Sequence, residues 1–210
     1  MDPVICYLVR HGRTVWNAEA RFQGQAEAEL DVFGRAQAQR AAARLAPVRP
    51  SRLVSSDLRR CLDTAMPVAS TTGLAVETDP QLREIDVGRW EGLTRAEVAE
   101  RWPEEAAAWR RGEDIPRGGG ETYRQLRVRV WGALERIVAE SLASPEEGPV
   151  VIMTHGGAIR AAVAEMLQLP GPALAGLGSL ANAAFTVFEA GMSGTRLLSY
   201  NDTGHLTGLA

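Results

Sequence analysis

Two histidines in this sequence follow apolar stretches that are typical of buried β-strands, and a glycine follows each of them. VICYLV leads into Arg10 and His11, and VVIMT leads into His155. The carboxyl ends of parallel strands share one edge of a sheet, where ligands bind, so we expect both imidazoles to face one pocket. The alternative is that each histidine is a strand-end residue with a structural hydrogen bond.

Further charged residues fall at the ends of predicted elements. The pair Arg59 and Arg60 opens a helix after a short strand, and Glu84 lies in the loop LREIDVGRWEG. Two cations, two imidazoles and a carboxylate suit a phosphoryl group, whose oxygens fit the planar guanidinium of arginine. One imidazole could act as the nucleophile and the carboxylate as the proton donor.

Metal and cofactor chemistry are weaker interpretations of the same residues. Histidine and glutamate bind metals, but neighbouring arginines repel a cation and no HExxH spacing is present. Cys6 and Cys61 lack CxxC spacing and predict neither a metal cluster nor a disulfide framework. We expect the run PRGGGE (116–121) to be flexible, and because no strand precedes it, it lacks the strand–loop–helix context of a dinucleotide or phosphate loop. We therefore expect neither a metal nor a cofactor.

The charge composition restricts the partners of the chain. Its 210 residues include 23 basic side chains, all arginine, and 26 acidic ones, for a net charge of −3. This balance disfavours nucleic acid, and the lack of lysine excludes Schiff-base chemistry.

The longest weakly polar region, 173–188, is glycine-rich and no membrane span. MDPVICYL does not resemble a signal peptide, so we expect a cytoplasmic protein.

Strands and helices alternate along most of the sequence. Apolar, β-branched stretches predict strands at 4–9, 52–55, 75–79, 150–155, 185–190 and 196–202. Caps and helical apolar spacing predict helices at 31–45, 58–72, 94–102, 121–143 and 157–167. The pattern predicts an α/β fold, a three-layer α/β/α sandwich with a mostly parallel central sheet. We expect one domain over 1–210, with a helical and loop cap inserted at about 93–121 and a loop over 13–30 that closes over the pocket.

Five motifs, in order, resemble those of the histidine phosphatase superfamily, in the branch that includes the cofactor-dependent phosphoglycerate mutases. They are LVRHGRTVWN (8–17), RFQGQAEAELDVFGRAQA (21–38), SSDLRRCLDTA (55–65), LREIDVGRWEG (82–92) and THGG (154–157). The resemblance spans nearly the whole chain and implies the phosphoglycerate mutase-like fold. It also selects Arg60 as the second arginine of the site and leaves Arg59 solvated.

The resemblance implies phosphoryl transfer in two steps through a phosphohistidine. His11 attacks phosphorus, and Glu84 protonates the leaving alkoxide before it activates the water that hydrolyses the intermediate. Arg10, Arg60 and His155 hold the nonbridging oxygens. The residues expected to line the phosphate pocket are Asn17, Gln23, Gly24 and Gly156. The implied partner is a small phosphate monoester, without a metal or cofactor.

Phosphatase and mutase chemistry share these residues. Mutases of the family have a longer chain and an Arg-His-Tyr-Gly stretch soon after the acid, where this sequence has GLTRAEVAERWPEE. A phosphatase is therefore favoured over a cofactor-dependent phosphoglycerate mutase. A catalytically weak regulatory protein that binds phosphate esters is a third alternative, although no catalytic residue is lost. Glu84 could instead form a salt bridge with Arg83 or Arg89, and His205 is expected at the surface.

The substrate is the least determined feature. GLGSLANAAFTVF (176–188) and SSDLRR together resemble actinobacterial phosphatases that act on glucosyl-3-phosphoglycerate. Arg110, Arg111 and Arg117 either bind a second acidic group, such as a carboxylate, or are solvated. In the first case, substrates with a carboxylate near the phosphate ester should outperform neutral sugar phosphates. A homodimer is compatible with the sequence, but no residue indicates one.

Overall fold

A computed structural model describes residues 2–144, 148–170, 176–191 and 194–209, which form a six-stranded sheet packed against helices. The strands are β1 (Val4–Arg10), β2 (Arg52–Ser55), β3 (Val76–Thr78), β4 (Val150–Thr154), β5 (Phe185–Gly191) and β6 (Gly194–Asp202). The helices are α1 (Val15–Ala18), α2 (Val32–Leu45), α3 (Arg59–Thr72), α4 (Arg95–Arg101), α5 (Pro103–Arg110), α6 (Tyr123–Ala143) and α7 (Gly156–Met166). The predicted elements are confirmed, with ends that shift by one or two residues.

The sheet places both histidine-bearing strands at its centre. The strand order is β3-β2-β4-β1-β5-β6; the β1–β4, β2–β4 and β2–β3 pairs are parallel, and β5 runs antiparallel to β1 and β6. Arg10 pairs with Thr154, and the His11 N–H donates to the Thr154 carbonyl over 3.0 Å. The two strands therefore end level, and the residues after them share one edge.

Apolar side chains fill both faces of the sheet. On one face the predicted α6 stripe of Leu126, Val130, Leu134 and Ile137 is buried with residues of α7. On the other face, residues of α2 and α3 pack against β1, β2 and β4. All five residues of β4 are buried, as expected for a central parallel strand. The three-layer α/β/α prediction is confirmed.

Local capping explains where the helices begin and end. Asp31 accepts a hydrogen bond from Gly34 N over 2.7 Å at the start of α2. Thr94 and Glu97 form the predicted capping box of α4. Gly73 ends α3 with a φ of 77°, which glycine adopts without steric cost.

Two loop predictions need correction. The stretch 13–30 contains the short helix α1 rather than only irregular loop. The glycine run near residue 118 is not loose, because Arg117–Gly119 forms a 3₁₀ turn packed against the loop that follows Glu84. Gly118 has a φ of 56°, and a Cβ there would lie 2.2 Å from the Val87 carbonyl oxygen. The two backbones therefore meet at a contact that only glycine permits.

His205 was predicted at the surface, and the structure shows it only partly exposed. Its ring stacks on Phe185 with the centroids 4.3 Å apart, and both ring nitrogens are buried. Of the glycine-rich stretch, residues 173–175 lie outside the described residues. None of the helices in the described part of the chain has the length and apolar character needed to cross a membrane.

Candidate active site

His11 is buried at the end of β1, with 3% of its surface exposed. Its Nδ1 lies 2.8 Å from the Gly12 carbonyl oxygen, and since a carbonyl only accepts, Nδ1 carries the proton. Burial, followed by the charges of Arg60 and Arg10, holds the pKa of His11 well below 6.5. The ring is therefore neutral, and its unprotonated Nε2 can act as a nucleophile.

His155 follows β4, and its ring centroid lies 5.2 Å from that of His11. The Arg60 Nε–H donates to His155 Nδ1 over 3.2 Å, which leaves the ring proton on Nε2. That Nε2 lies 2.9 Å from Ser56 Oγ. Burial, followed by the charge of Arg60, also holds the pKa of His155 well below 6.5. The predicted pairing of two strand-end histidines at one edge is thus confirmed in geometry.

Arg60 is fully buried beneath the loop that follows α1. Besides its contact with His155, its two terminal nitrogens donate to the carbonyls of Ala26 at 2.8 Å and Gly24 at 2.7 Å. Burial lowers the pKa of Arg60 from its usual value, although a guanidinium stays charged in proteins. A fixed cation therefore lies beside both imidazoles.

Arg10 presents a second buried guanidinium. One terminal nitrogen donates to the Leu180 carbonyl, while the buried Nε–H has no hydrogen-bond partner within the described ranges. Burial lowers the pKa of Arg10, and Glu84 opposes that shift. A Cβ on Gly156 would lie 3.2 Å from Arg10 Nε, so this N–H lies beside the start of α7. An unsatisfied buried donor costs free energy unless a ligand supplies an acceptor.

The carboxylate of Glu84 is fixed by two backbone N–H groups. Oε1 accepts from Ile85 N and Oε2 accepts from Gly157 N, both over 2.9 Å. The sequence prediction chose Gly156 as a lining residue, and the structure places it first in α7 beside Arg10. The sequence prediction did not select Gly157, the glycine whose N–H donates to Glu84. The N-terminus of α7 therefore holds the candidate proton donor.

The salt-bridge interpretation of Glu84 is wrong. Arg83 instead forms a two-point ion pair with Asp57, at 2.7 Å and 2.6 Å. Arg89 pairs with Glu105. Glu84 is thus available to the pocket.

The predicted phosphate-lining residues are brought to the same edge. Asn17 Oδ1 accepts from Thr14 N and Asn182 Nδ2, both over 3.1 Å, which leaves the Asn17 amide N–H groups as donors. Gln23 Oε1 is buried without a hydrogen-bond partner in the part of the chain that is described. Gly24 has a φ of 52° and offers its carbonyl to the buried arginine of α3.

Arg117 approaches the site from the segment between α5 and α6. Its guanidinium lies 5.9 Å from the ring centroid of Trp109 and 5.7 Å from that of Tyr123. Burial lowers the pKa of Arg117, and the charge of Glu84 is the largest opposing influence. Arg117 is therefore held on aromatic rings within electrostatic range of the candidate acid.

Neighbouring arginines point to solvent. Arg59 pairs with Asp63 over 2.8 Å on the exposed face of α3, as expected for a solvated residue. Arg110 is exposed, and Arg111 pairs with Glu113 over 2.6 Å. Of the three arginines considered for a second acidic group, the structure brings only Arg117 towards the site.

Three residues at the site escaped the sequence prediction. They are Ser56, Gly157 and Asn182, and each acts on another side chain or backbone group of the site. All three lie inside stretches already quoted, SSDLRRCLDTA, THGG and GLGSLANAAFTVF, which was the available signal. Within the described residues, no group of three or more His, Cys, Asp or Glu side chains could hold a metal ion.

The three-layer fold and the arginine–histidine cluster at its sheet edge define a phosphate-handling enzyme. The family model described as "Histidine phosphatase superfamily (branch 1)" matches residues 6–203. The chain belongs to this superfamily and is a phosphomonoesterase.

Curated relatives and solved structures agree with this assignment. Glucosyl-3-phosphoglycerate phosphatase of Mycobacterium tuberculosis is 42% identical over 187 residues, covering 85% of this chain and 82% of the relative. Metal-independent phosphoserine phosphatase of Arabidopsis thaliana is 38% identical over 206 residues, covering 95% and 82%. A solved structure of the mycobacterial glucosyl-3-phosphoglycerate phosphatase with VO₃ superposes with a TM-score of 0.87 at 36% identity, covering 95% of this chain and 100% of that one.

Proposed function

We propose that this chain hydrolyses small phosphate monoesters through a phosphohistidine at His11. The observation that carries the proposal is the neutral His11 ring, whose proton lies on Nδ1 and whose Nε2 is left to attack. Nε2 attacks phosphorus, the bond to the ester oxygen breaks, and protonated Glu84 gives its proton to the leaving alkoxide. Glu84 then takes a proton from water, which attacks phosphorus and releases phosphate from Nε2.

In this proposal the buried cations stabilise the transferring group. Arg10 and Arg60 hold the nonbridging oxygens, where negative charge is concentrated. His155, which the resemblance also assigned to these oxygens, has Nδ1 occupied by Arg60 and Nε2 by Ser56, so in this proposal it orients Arg60. The unpartnered Nε–H of Arg10 supports this role, because a phosphate oxygen would satisfy it. The proposed lining residues are Asn17, Gln23, Gly24 and Gly156. The mechanism requires no metal and no cofactor.

For the substrate we propose a phosphate monoester that also carries a carboxylate, with glucosyl-3-phosphoglycerate as the first candidate. The two relatives described above are named for substrates that share this carboxylate. Arg117, held over Tyr123 within range of Glu84, supplies a cation beyond the phosphate pocket. Arg160 lies close enough to Tyr123 and Arg117 to act electrostatically on both. The segment 93–121 that contributes Arg117 is, in this proposal, the cap over the substrate.

The first experiment measures phosphate release from a panel of monoesters in excess chelator, with His11→Ala beside the wild type. We expect hydrolysis that persists in chelator and is abolished in His11→Ala. A chelator-sensitive reaction, or full activity in His11→Ala, would overturn the proposal. If no ester is hydrolysed but 2- and 3-phosphoglycerate interconvert after priming with the bisphosphate, the chain is a mutase.

The carboxylate preference is tested with Arg117→Leu and the matched control Arg110→Leu, whose arginine is exposed. Losing one charge-assisted contact should lower kcat/KM for carboxylated esters by about 10- to 100-fold. Neutral sugar phosphates should change by less than about threefold, and Arg110→Leu should alter neither. Equal losses on both substrate classes would reject recognition by Arg117.

We also propose that the protein acts in the cytoplasm. Its two cysteines, Cys6 and Cys61, are both free and buried, which is compatible with a reducing compartment. Fractionation of cells that produce the tagged full chain would test this location.

A further inference from the structure

Two adjacent serines end β2, and they differ in what their hydroxyl groups contact. Ser55 and Ser56 are both fully buried. The Ser55 hydroxyl donates to the carbonyl of Ser56 over 2.7 Å, whereas Ser56 Oγ lies 2.9 Å from His155 Nε2. Leu58 N also donates to Ser56 Oγ, over 3.4 Å, at the start of α3. Only the second serine therefore contacts a side chain of the site.

The direction of each hydrogen bond around His155 follows from its neighbours. Because Arg60 Nε donates to His155 Nδ1, the ring proton is on Nε2 and is donated to Ser56 Oγ. The Cys61 thiol beside them donates to the Thr154 carbonyl over 3.4 Å. Both ring nitrogens of His155 therefore have a hydrogen-bond partner.

The Cys61 thiol is a neutral neighbour of His155. Burial raises its pKa to about 12, so it stays protonated at physiological pH. Its Sγ lies 3.3 Å from His155 Nε2, in contact with the imidazole. A neutral thiol in this place adds no charge beside the histidine.

We propose that Ser56 is a positioning residue that holds His155 in the Nε2–H tautomer, with the Nδ1 lone pair turned to Arg60. Without the serine hydroxyl, Nε2–H keeps only the weak sulfur acceptor of Cys61 in a fully buried place. The proton can then move to Nδ1, where it faces the Arg60 Nε–H, and two donors directed at each other repel. Arg60 would then lose its geometry at the phosphate pocket. The catalytic part of this inference rests on the proposed function.

The tautomer is read directly by ¹⁵N–¹H correlation spectroscopy on the full chain labelled at its three histidines, with His155→Gln used for assignment. We expect His155 to carry its proton on Nε2 in the wild type. Ser56→Ala should show a mixture of tautomers or protonation at Nδ1. Ser55→Ala, which removes an equally buried hydroxyl, should match the wild type. Protonation of His155 at Nδ1 in the wild type, or an unchanged signal in Ser56→Ala, overturns the proposal.

Kinetics separate positioning from a general loss of stability. Ser56→Ala should lower kcat by about 10- to 100-fold with KM changed by less than about threefold, because the displaced groups act on charge that develops in the transition state. Ser55→Ala should keep both constants within about threefold. Wild-type kcat in Ser56→Ala would refute a positioning role. If the wild type hydrolyses no ester, the proposed function fails, while the tautomer measurement still decides the role of Ser56.

Discussion

The backbone N–H of Gly157 donates to Glu84 Oε2 over 2.9 Å, joining the first turn of α7 to the loop after β3. A Cβ on Gly157 would lie 2.2 Å from Glu84 Oε1, a separation that non-bonded atoms do not tolerate. Any larger residue at 157 must therefore displace the carboxylate. The position of the candidate proton donor depends on a glycine 73 residues further along the chain.

Gly157→Ala should lower kcat for alkyl phosphates by about 100-fold, within the range expected when a positioned proton donor is displaced. The cause is the movement of Glu84 rather than a change in α7, since alanine favours a helix. Steady-state kinetics with a small alkyl phosphate measures the effect. The control is Gly132→Ala in α6, where an added Cβ meets nothing within 4 Å. That variant should keep wild-type kcat and gain about 0.5–1 kcal/mol of stability. Equal kcat in both variants contradicts the prediction.

Glu84→Gln should discriminate between leaving groups. Glutamine cannot supply a proton, so hydrolysis of alkyl phosphates should fall by about 10²- to 10⁴-fold. p-Nitrophenyl phosphate has a leaving group that departs without protonation. With this ester, the rate of the step that phosphorylates His11 should therefore fall far less. Single-turnover measurements of alcohol or phenol release give that step for each ester. The same loss for both esters would argue against Glu84 as the general acid.

The parts of this site that the sequence could predict are those with local signals. Apolar stretches ending in polar residues located His11 and His155, and parallel pairing then brought them to one edge. Thr94 with Glu97 located α4, because a capping box is read within four residues. Arg60 was distinguished from Arg59 by the family motif, and the structure buries the first and exposes the second.

The parts that the sequence could not predict depend on contacts between distant segments. The residue at which α7 begins decides which glycine of THGG donates to Glu84. A sequence gives helix ends only to within a few residues, so it could not make this choice. The partial burial of His205 was not predicted, because it depends on stacking against Phe185. Arg117 could not be separated from Arg110 without the contact between two glycine-containing turns that directs it inward.

Asn182→Ala should weaken phosphate binding without removing any proposed phosphate ligand. Asn182 Nδ2 donates to the carbonyl of His11 and to Asn17 Oδ1, both over 3.1 Å. Its loss leaves the Asn17 amide held by Thr14 alone and less firmly oriented, so the inhibition constant of inorganic phosphate should rise by about threefold to tenfold. Product-inhibition kinetics measures this constant.

The matched control for that variant is Asn201→Ala. Asn201 Oδ1 accepts from Ala181 N over 2.8 Å and so supports the same loop from its outer side. It should lower stability while leaving phosphate inhibition unchanged. Similar inhibition constants in the two variants would show that the loop as a whole, and not the Asn182 amide, orients Asn17.

The two histidines of the candidate site should make stability depend on pH. Burial and the neighbouring arginines hold the pKa values of His11 and His155 well below 6.5 in the folded protein. Unfolding returns them towards 6.5, so the unfolded state binds more protons once the pH falls through that value. The stabilisation is therefore complete above the unfolded pKa and is lost progressively as the pH falls towards the folded values.

Below the pKa of the unfolded state, each histidine should lower the free energy of unfolding by up to about 1.4 kcal/mol for each unit by which the pH falls. Denaturant titrations in steps from about pH 7.5 to about pH 5.5 measure the slope, in a range where most carboxylates stay ionised. The double variant His11→Gln, His155→Gln should show a shallower dependence, because glutamine does not titrate. His205 is retained in both proteins, and its contribution cancels in the comparison. If the two slopes coincide, the histidines are not held neutral by the fold, and the protonation state proposed for the nucleophile is wrong.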